Sequence, residues 1–371
     1  MDFFNSYSSN TYAGSGNQLF FNMNENEVKT GRVLYKIAVG GEYEYSLLFS
    51  NIIDSTYSDG ALSHKNLICD SWKIHSARVG KCQITATDKK VEEMTFDKDV
   101  TASDFCDLTF NGQREKTVMP GEFFYSDPIK LSFNKDEYLC LEVTFSGKMI
   151  PHHEESLLPI FVKECGEWKY SRQMPLAAMI GCDRKVKGRI AYLGDSITQG
   201  IGTKRNSYLH WNAVLSEKLG AEYSYWNLGI GYGRANDAAT DGAWLYKAKQ
   251  NDIVFVCFGV NDIIRGFSEE QIKKDLETIV DTLKKNGKKV ILQTVPPFEY
   301  ADEKIEKWQR INEYIKTVLA DKVDMLFDNN PYLCPDGVHP IYGGHPNEEG
   351  CAVWAEELYK AVKPVIESAS I

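Results

Sequence analysis

The stretch DGVHPIYGGHPNEEG, residues 336–350, contains two histidines that could act as a general base. Asp336 stands three residues before His339, a spacing at which a carboxylate can orient an imidazole ring and bind its Nδ1 proton. His345 lies six residues further on, just before a sequence typical of a helix start. A histidine base activates a hydroxyl or thiol nucleophile. The chain should therefore contain such a nucleophile elsewhere.

Ser196 is a candidate nucleophile because of its position in the stretch AYLGDSITQG. It directly follows an apolar strand and a Gly-Asp pair, and a helix is expected to begin just after it. A serine there has its hydroxyl at the edge of a sheet and its amide at a helix N-terminus, which favours developing negative charge. The same position is equally typical of a serine that only caps the helix.

Two further segments place potential hydrogen-bond donors after apolar strands. The glycines of WNLGIGYGRAND, residues 226–237, let a backbone approach a ligand closely and present its N–H groups, although a plain turn has the same composition. A nucleotide site is disfavoured because the later glycine of the dinucleotide-binding pattern is missing. Asn261, in CFGVNDI, could donate its side-chain amide to an oxyanion or simply form a turn with Asp262.

The elements after residue 189 would bring these segments together. Strongly apolar strands alternate with helical stretches, the clearest being residues 268–287, capped by Ser268, and residues 302–320, capped by Asp302. Such alternation predicts a parallel sheet covered on both faces. In these sheets ligands bind beyond the carboxyl ends of the strands, where all the candidate residues stand.

The N-terminal half has a different pattern. Between about residues 28 and 165, short aromatic and β-branched segments such as EYLCLEVTFSG are separated by turn residues. This pattern predicts an all-β sandwich, jelly-roll-like in kind. At 371 residues the chain is too long for one ordinary core. We expect a boundary within residues 171–188, with a β-sandwich domain over 1–180 and an α/β domain over 186–371.

Composition excludes some partners and locations. The net charge of −10 argues against nucleic acid, and no apolar run is long enough to span a bilayer, so no membrane partner is expected. The nine cysteines form no C-x-x-C pair, and several lie in apolar runs, which predicts buried free thiols. Because the N-terminus lacks a secretory pattern, we expect a cytoplasmic protein. The sequence shows no metal-ligand cluster, and no cofactor is expected.

Taken in order, four short blocks resemble the SGNH (GDSL-type) hydrolase family. GDSI at 194–197 is similar to the first block of that family, NLGIGYG to the second, GVND at 259–262 to the third and DGVH at 336–339 to the last. The resemblance covers roughly residues 189–363. It implies a flavodoxin-like, three-layer α/β/α hydrolase domain and a serine esterase mechanism.

The resemblance also implies roles for individual residues. Ser196 would be the nucleophile, and a histidine oriented by Asp336 would be the base. The oxyanion would be bound by the Ser196 amide, the Asn261 side chain and a backbone N–H of the Gly-rich turn. Counting five residues from the asparagine of the second block, as in the family, lands on Tyr232. We expect the donor to be one of its neighbours, Gly231 or Gly233.

The two histidines divide the last family block between them. Family members often read Asp-x-x-His-Pro-Asn, but here DGVHP keeps the acid–histidine half and HPNEEG keeps the half that opens the helix. The i+3 spacing favours His339, paired with Asp336, as the base. His345 is the alternative base, which a refolded loop would turn toward Ser196.

The expected substrate is an acetylated oligosaccharide or another small ester. The N-terminal half resembles the β-sandwich that precedes the hydrolase domain in some SGNH carbohydrate esterases, and aromatic side chains could stack on sugar rings. The aromatic candidates are Tyr232, Trp211, Trp244 and Tyr342. Alternatives are a lysophospholipase or thioesterase, a sugar O-acyltransferase, and a catalytically inactive sugar-binding protein. The sequence does not indicate an oligomeric state.

Overall fold

The structure is a computed structural model that describes residues 3–24, 27–55, 65–301 and 303–368. The chain divides into two compact units, Met1–Ile53 with Asn66–Lys185 and Asp54–Lys65 with Val186–Ile371. The passage from Lys185 to Val186 lies within the predicted boundary region. The structure differs from the predicted division at Asp54, Ser55 and Lys65, which belong with the second unit rather than with the first.

The first unit is built from antiparallel strands, as the turn-rich sequence predicts. Among its described residues, one sheet has the strand order Ser8–Ser9, Met179–Cys182, Gly41–Ser50 and Phe123–Tyr125, with Ile129–Phe133 also pairing Gly41–Ser50. A second sheet has the order Glu167–Tyr170, Ile160–Glu164, Lys29–Lys36, Tyr138–Gly147, Trp72–Ile84 and Val100–Leu108, with Lys116–Val118 pairing Trp72–Ile84. Trp72 of the second sheet packs edge-on against Phe124 of the first, at 6.2 Å between ring centres. Aromatic contact between the two sheets makes this unit a β-sandwich.

The bounds of the strands follow the short segments of the sequence. They are β1 (Ser8–Ser9), β2 (Leu19–Phe21), β3 (Lys29–Lys36), β4 (Gly41–Ser50), β5 (Ile52–Ser55), β6 (Lys65–Ile68), β7 (Trp72–Ile84), β8 (Val100–Leu108), β9 (Lys116–Val118), β10 (Phe123–Tyr125), β11 (Ile129–Phe133), β12 (Tyr138–Gly147), β13 (Ile150–His152), β14 (Ile160–Glu164), β15 (Glu167–Tyr170) and β16 (Met179–Cys182). A short helix, α1 (Phe3–Ser6), and a 3-10 helix, Val91–Glu93, complete the described part of this unit.

The second unit contains the predicted parallel sheet. Its strands are β17 (Gly188–Gly194), β18 (Tyr223–Gly229), β19 (Ile253–Cys257), β20 (Lys289–Gln293) and β21 (Met325–Phe327). Within the described ranges they lie in the order β18-β17-β19-β20-β21, the arrangement of flavodoxin-like folds. Successive residues of β17, from Ile190 to Leu193, are all buried. Because successive side chains of a strand point to opposite faces, the sheet is covered on both faces.

Helices connect and cover these strands. They are α2 (Ser196–Gln199), α3 (Trp211–Leu219), α4 (Ala235–Ala238), α5 (Ala243–Ala248), α6 (Val260–Ile264), α7 (Glu269–Lys285), α8 (Glu303–Thr317), a 3-10 helix (Leu319–Lys322), α9 (Asn330–Leu333) and α10 (Glu348–Glu367). The expected cap of α7 is present, since the Ser268 side chain accepts a hydrogen bond from the Gln271 amide. Asp302, the expected cap of α8, lies outside the described residues. Trp211 of α3 stacks on Trp354 of α10, which fixes this helix pair.

All nine cysteines lie in the described ranges, and each is a free thiol. Seven are buried, as the apolar sequence around them predicts, whereas Cys106 and Cys165 are exposed. No helix in the described part of the chain is long and apolar enough to cross a membrane. The cytoplasmic location expected from the thiols stays a prediction.

A buried ion pair attaches Asp54 to the rest of the second unit. Lys247 of α5 contacts the Asp54 carboxylate at 2.5 Å, and the two side chains are 1% and 0% exposed. Charges removed from water this completely are stable only while they are paired. Asp54 therefore belongs to the core of the second unit, although the sequence places it among the strands of the first.

Replacing Lys247 with methionine should lower the free energy of unfolding of the second unit by about 3–5 kcal/mol, because it leaves a buried carboxylate without its partner. Urea unfolding followed by tryptophan fluorescence measures this. The matched control is Lys249→Met, which breaks a more exposed pair with Asp241, 18% and 49% exposed, and should cost at most about 1 kcal/mol. Equal losses in the two variants would contradict the assignment.

Candidate active site

The candidate residues lie at the carboxyl ends of adjacent strands. Ser196 begins α2, two residues after β17 ends, and Asn261 lies in α6, just after β19. The Gly-rich turn follows β18, whose last residue, Gly229, pairs with Gly194 of β17. A Cβ atom on Gly229 would lie 2.1 Å from the Gln199 backbone nitrogen, so only glycine allows α2 to pack this close to the turn.

Ser196 is buried and contacts a histidine. Its Oγ lies 2.9 Å from Nε2 of His345. The structure caps α2 with Asp195 instead, whose carboxylate accepts a hydrogen bond from the Ile197 amide. The Ser196 hydroxyl is thus not used as a helix cap and is directed at an imidazole nitrogen, the arrangement that activates a serine.

The His345 ring is held by packing. Phe298 meets it edge-on at 5.1 Å between ring centres, and burial lowers the pKa of His345, an effect that the negative charge of Glu299 opposes. Gly202 has the left-handed φ of +103°, and a Cβ atom there would lie 2.8 Å from the His345 Cβ. The loop after α2 therefore packs directly against the backbone that carries the ring.

The structure places His345, and not the preferred His339, next to Ser196. The expected contact with Asp336 is present, with Nδ1 of His339 2.8 Å from a carboxylate oxygen, but the pair faces solvent and the His339 side chain is 78% exposed. Backbone hydrogen bonds from His339 and Val338 hold the pKa of Asp336 well below its usual range. The i+3 spacing produced a local surface turn, and the histidine that contacts Ser196 is His345, the alternative.

The N–H groups of Gly231 and Gly233, the expected oxyanion donors, are used inside the protein. The Gly231 amide donates to the Gln199 side chain at 2.6 Å, and the Gly233 amide donates to the Ile230 carbonyl at 3.0 Å. Between them, Tyr232 has a φ of +59°, the left-handed conformation that a glycine adopts readily. The turn thus keeps a glycine-like backbone at the position where the family glycine is expected.

Asn261 is buried and aimed at the same turn. Its side-chain nitrogen donates to the Gly233 carbonyl at 2.9 Å. A primary amide carries two N–H groups, so this bond fixes the orientation of the side chain and uses one of them. The neighbouring Asp262 accepts hydrogen bonds from the amides of Ala235 and Asn236, at 2.9 and 3.3 Å, which ties the end of the turn to the start of α6.

Two carboxyl groups beneath the site are fully buried. Burial raises the pKa of Asp195 to about 7 and that of Asp262 to about 7. Both accept hydrogen bonds from backbone amides, which lower the pKa only in part. These acids hold the backbone of the two loops that carry Ser196 and Asn261.

The structure separates the four aromatic residues expected to stack on sugars. Trp211 and Trp244 are core residues: the first stacks on Trp354, and the second donates its indole N–H to the Leu228 carbonyl at 2.7 Å. Tyr342 is half-buried, with its ring over Gly350. Tyr232 is exposed, at 37%, and lies in the Gly-rich turn itself.

Sequence reasoning missed several residues around the site. Gln199 and Phe298 carry no motif of their own, and their importance follows from where the chain brings them. Gln199 could have been noticed as a polar residue one turn after Ser196. In the part of the chain that the structure describes, no group of three or more His, Cys, Asp or Glu side chains is arranged to hold a metal ion.

Comparison with protein families agrees with this geometry. Residues 192–353, which include Ser196, Asn261 and His345, match the model of the GDSL-like lipase/acylhydrolase family. The C-terminal half of the chain is a GDSL-like lipase/acylhydrolase domain. This SGNH domain contains the five-stranded parallel sheet and the site at its carboxyl edge.

Individual relatives are similar over the same half. Thioesterase 1/protease 1/lysophospholipase L1 of Escherichia coli K12 is 27% identical over 181 residues, covering 48% of this chain and 85% of the relative. Among solved structures, a member of the G-D-S-L lipolytic family from Veillonella parvula is 20% identical with a TM-score of 0.41, covering 47% of this chain and 98% of that one. The acetyl xylan esterase AlAXEase is 21% identical with a TM-score of 0.38, covering 47% and 99%.

The burial of His345 predicts a titration below the usual range. We expect its imidazole to lose its proton at a pH below 6.5, so that it is neutral and able to accept a proton at pH 7. NMR titration of the ring signal, assigned with His345→Gln, measures the pKa directly. The ring signal is needed because Asp195 and Asp262, with pKa values of about 7, would also affect activity in this range. A midpoint above 6.5 would contradict the half-buried, neutral ring.

Proposed function

We propose that the SGNH domain hydrolyses carboxylic esters with Ser196 as nucleophile and His345 as general base. The observation that carries this proposal is the 2.9 Å contact between Ser196 Oγ and His345 Nε2. The Ser196 oxygen attacks the ester carbonyl carbon while Nε2 takes its proton, and Nε2 then gives that proton to the departing alcohol oxygen. Water attacks the resulting acyl-serine by the reverse proton path, which releases the acid and restores the serine.

The oxyanion of the tetrahedral intermediate would be bound by three donors. These are the Ser196 amide, the second side-chain N–H of Asn261 and the Tyr232 amide in the Gly-rich turn. Asn261 is oriented for this by its bond to the Gly233 carbonyl. Tyr232 is supported by its place in the family count and by its glycine-like φ of +59°. Donors held in place before the reaction cost little reorganisation when charge develops.

The base would act without an aspartate three residues before it. The residue at that position relative to His345 is Tyr342, and Asp336 binds the other histidine. Phe298 packing would orient the ring, and the Glu299 carboxylate would favour the imidazolium that forms during the reaction. The working unit is therefore a serine–histidine dyad supported by a nearby negative charge.

Ser196→Ala and His345→Ala should each lower kcat/KM for a short-chain ester by about 10⁴-fold or more, because both groups belong to one proton-transfer unit. His339→Ala should stay within about threefold of wild type, since its ring faces solvent. Steady-state hydrolysis of p-nitrophenyl acetate measures all three. His339→Ala is the matched control, the same change in the same loop.

Asp336→Asn and Glu299→Gln complete this test. Glu299→Gln should lower kcat about fivefold, because a nearby, partly solvated negative charge stabilises the imidazolium by about 1 kcal/mol. Asp336→Asn should have no more effect than His339→Ala. A collapse of activity in Asp336→Asn and His339→Ala, with His345→Ala active, would overturn the dyad.

We propose further that the substrate is a short acyl ester, an acetyl group, on an oligosaccharide. The exposed Tyr232 ring supports the sugar half of this proposal, because it stands in the turn that would bind the oxyanion and an aromatic face can stack on a sugar. The Arg265 guanidinium lies over this ring at 5.5 Å and would steady it. The name of the Escherichia coli relative favours a second candidate, a thioesterase or lysophospholipase with longer acyl chains.

An acyl-chain series separates these candidates. For p-nitrophenyl esters, kcat/KM should be highest with acetate and fall at least about tenfold by octanoate, as expected of a site that is selective for a short acyl group. A rise with chain length would favour the lysophospholipase or thioesterase. Transfer of acetyl to an added sugar in preference to water would indicate an acyltransferase. Binding without Ser196-dependent turnover would indicate a sugar-binding protein.

The sugar contact has its own control. Tyr232→Ala should raise KM for an acetylated oligosaccharide by about twofold to tenfold, the range of one aromatic contact, and leave KM for p-nitrophenyl acetate unchanged. Tyr246→Ala removes another exposed tyrosine of the same unit and should change neither value.

A further inference from the structure

Residues 54 and 55 come from the N-terminal half of the sequence but belong to the hydrolase unit. Both are fully buried at the end of β5. Asp54 forms the buried ion pair with Lys247 described above. Ser55 makes a second contact: its hydroxyl donates to the Asp237 carboxylate at 2.6 Å.

Asp237 connects Ser55 to the end of the Gly-rich turn. Its two carboxylate oxygens accept hydrogen bonds from Nε and a terminal nitrogen of Arg234, both at 2.9 Å. Arg234 is the residue directly after Gly233, and both members of the pair are buried. A bidentate arginine–carboxylate pair has a fixed geometry, so the position of Asp237 determines where the turn ends.

The same segment is bound to the Asn261 loop. Asp262 accepts the amides of Ala235 and Asn236, while Asn261 donates to Gly233. Residues 233–237, here called the anchor segment, are therefore held on one side by Ser55 and on the other by the loop that carries Asn261. Lys65 adds a contact to the Asn236 side chain at 2.6 Å.

From these contacts we infer that Ser55 is a positioning residue for ester hydrolysis, holding the anchor segment so that the turn and Asn261 keep their places around the oxyanion. The inference rests on the proposed function. A Ser55 hydroxyl bound to Asp237 keeps that carboxylate in place, and the Arg234 side chain and the turn follow.

Replacing Ser55 should therefore reduce the turnover number by more than its effect on stability would explain. Ser55→Ala should lower kcat for p-nitrophenyl acetate by about tenfold to a hundredfold, the cost of a small misplacement of a catalytic group, with KM within about twofold of wild type. Ser55→Thr keeps a hydroxyl and should recover most of kcat. If Ser55→Ala does not fold in the full-length chain, Ser55→Cys, a weak donor of similar size, replaces it.

Ser216→Ala is the matched control. Ser216 is also fully buried in this unit and also hydrogen-bonded, to the Asn212 carbonyl at 2.6 Å and to the Tyr192 hydroxyl at 2.9 Å, but it lies in α3, and none of these contacts involves the anchor segment. Thermal midpoints of the two alanine variants should fall by similar amounts. Only Ser55→Ala should lose kcat.

Hydrogen exchange tests the positioning link without turnover. In Ser55→Ala, the amides of Ala235 and Asn236 should exchange at least about tenfold faster than in wild type, because the segment is released on one side. In Ser216→Ala they should exchange as in wild type. Unchanged exchange, with kcat equal to that of the control, would overturn the inference. Absence of Ser196-dependent turnover in wild type would instead overturn the proposed function, and the exchange rates would still decide whether Ser55 holds the segment.

Discussion

The hydrogen bond between Ser196 and His345 is the geometric constraint that the loops of the hydrolase unit must satisfy. It joins the loop after the first strand of the parallel sheet to the loop before the last helix, across 149 residues of sequence. A single side-chain hydrogen bond contributes about 1 kcal/mol, too little to bring two loops together. The loops must therefore be placed by the sheet and by close backbone packing, such as that of Gly202 against His345.

Buried carboxylates maintain this placement. Asp195 caps α2, Asp262 binds the amides that follow the Gly-rich turn, and Asp237 fixes Arg234 at the end of that turn. Burying a carboxylate costs several kcal/mol unless it is hydrogen-bonded or paired. Each of these three carboxylates accepts hydrogen bonds from backbone amides or from arginine. The acidic residues therefore hold the backbone of the site in place. In the proposed mechanism, the chemical steps are carried out by Ser196, His345 and the donors of the oxyanion.

The sequence predicted the features that depend on local pattern. Apolar strands alternating with helices gave the parallel sheet, and the rule that ligands bind at strand ends correctly grouped Ser196, the Gly-rich turn and Asn261. The choice between two histidines depends instead on the path of a loop, which tertiary contacts determine. The i+3 spacing of Asp336 and His339 is satisfied just as well by a surface turn, so it could not identify the residue beside Ser196.

The positions of several other residues also depend on tertiary contacts. Trp211 and Trp244 follow strands as a sugar-binding residue would, but the helices of the hydrolase unit bury them. The amides of Gly231 and Gly233 donate hydrogen bonds inside the protein, and one acceptor is Gln199, which no sequence motif indicates. Asp54 reads as part of a β-strand of the N-terminal half, and its pairing with Lys247 spans 193 residues. A contact between residues this far apart in the sequence produces no hydrophobic periodicity from which it could be predicted.

Whether His345 activates Ser196 is tested most directly by the rate at which a fluorophosphonate labels the protein, followed by intact mass and peptide mapping. The reagent phosphonylates a serine only when a base takes its proton, so it reports on the pair without any choice of substrate. We expect one adduct on Ser196 in wild type and in His339→Ala, and labelling at least about 100-fold slower in His345→Ala. Loss of labelling in His339→Ala with normal labelling in His345→Ala would contradict the pairing of Ser196 with His345.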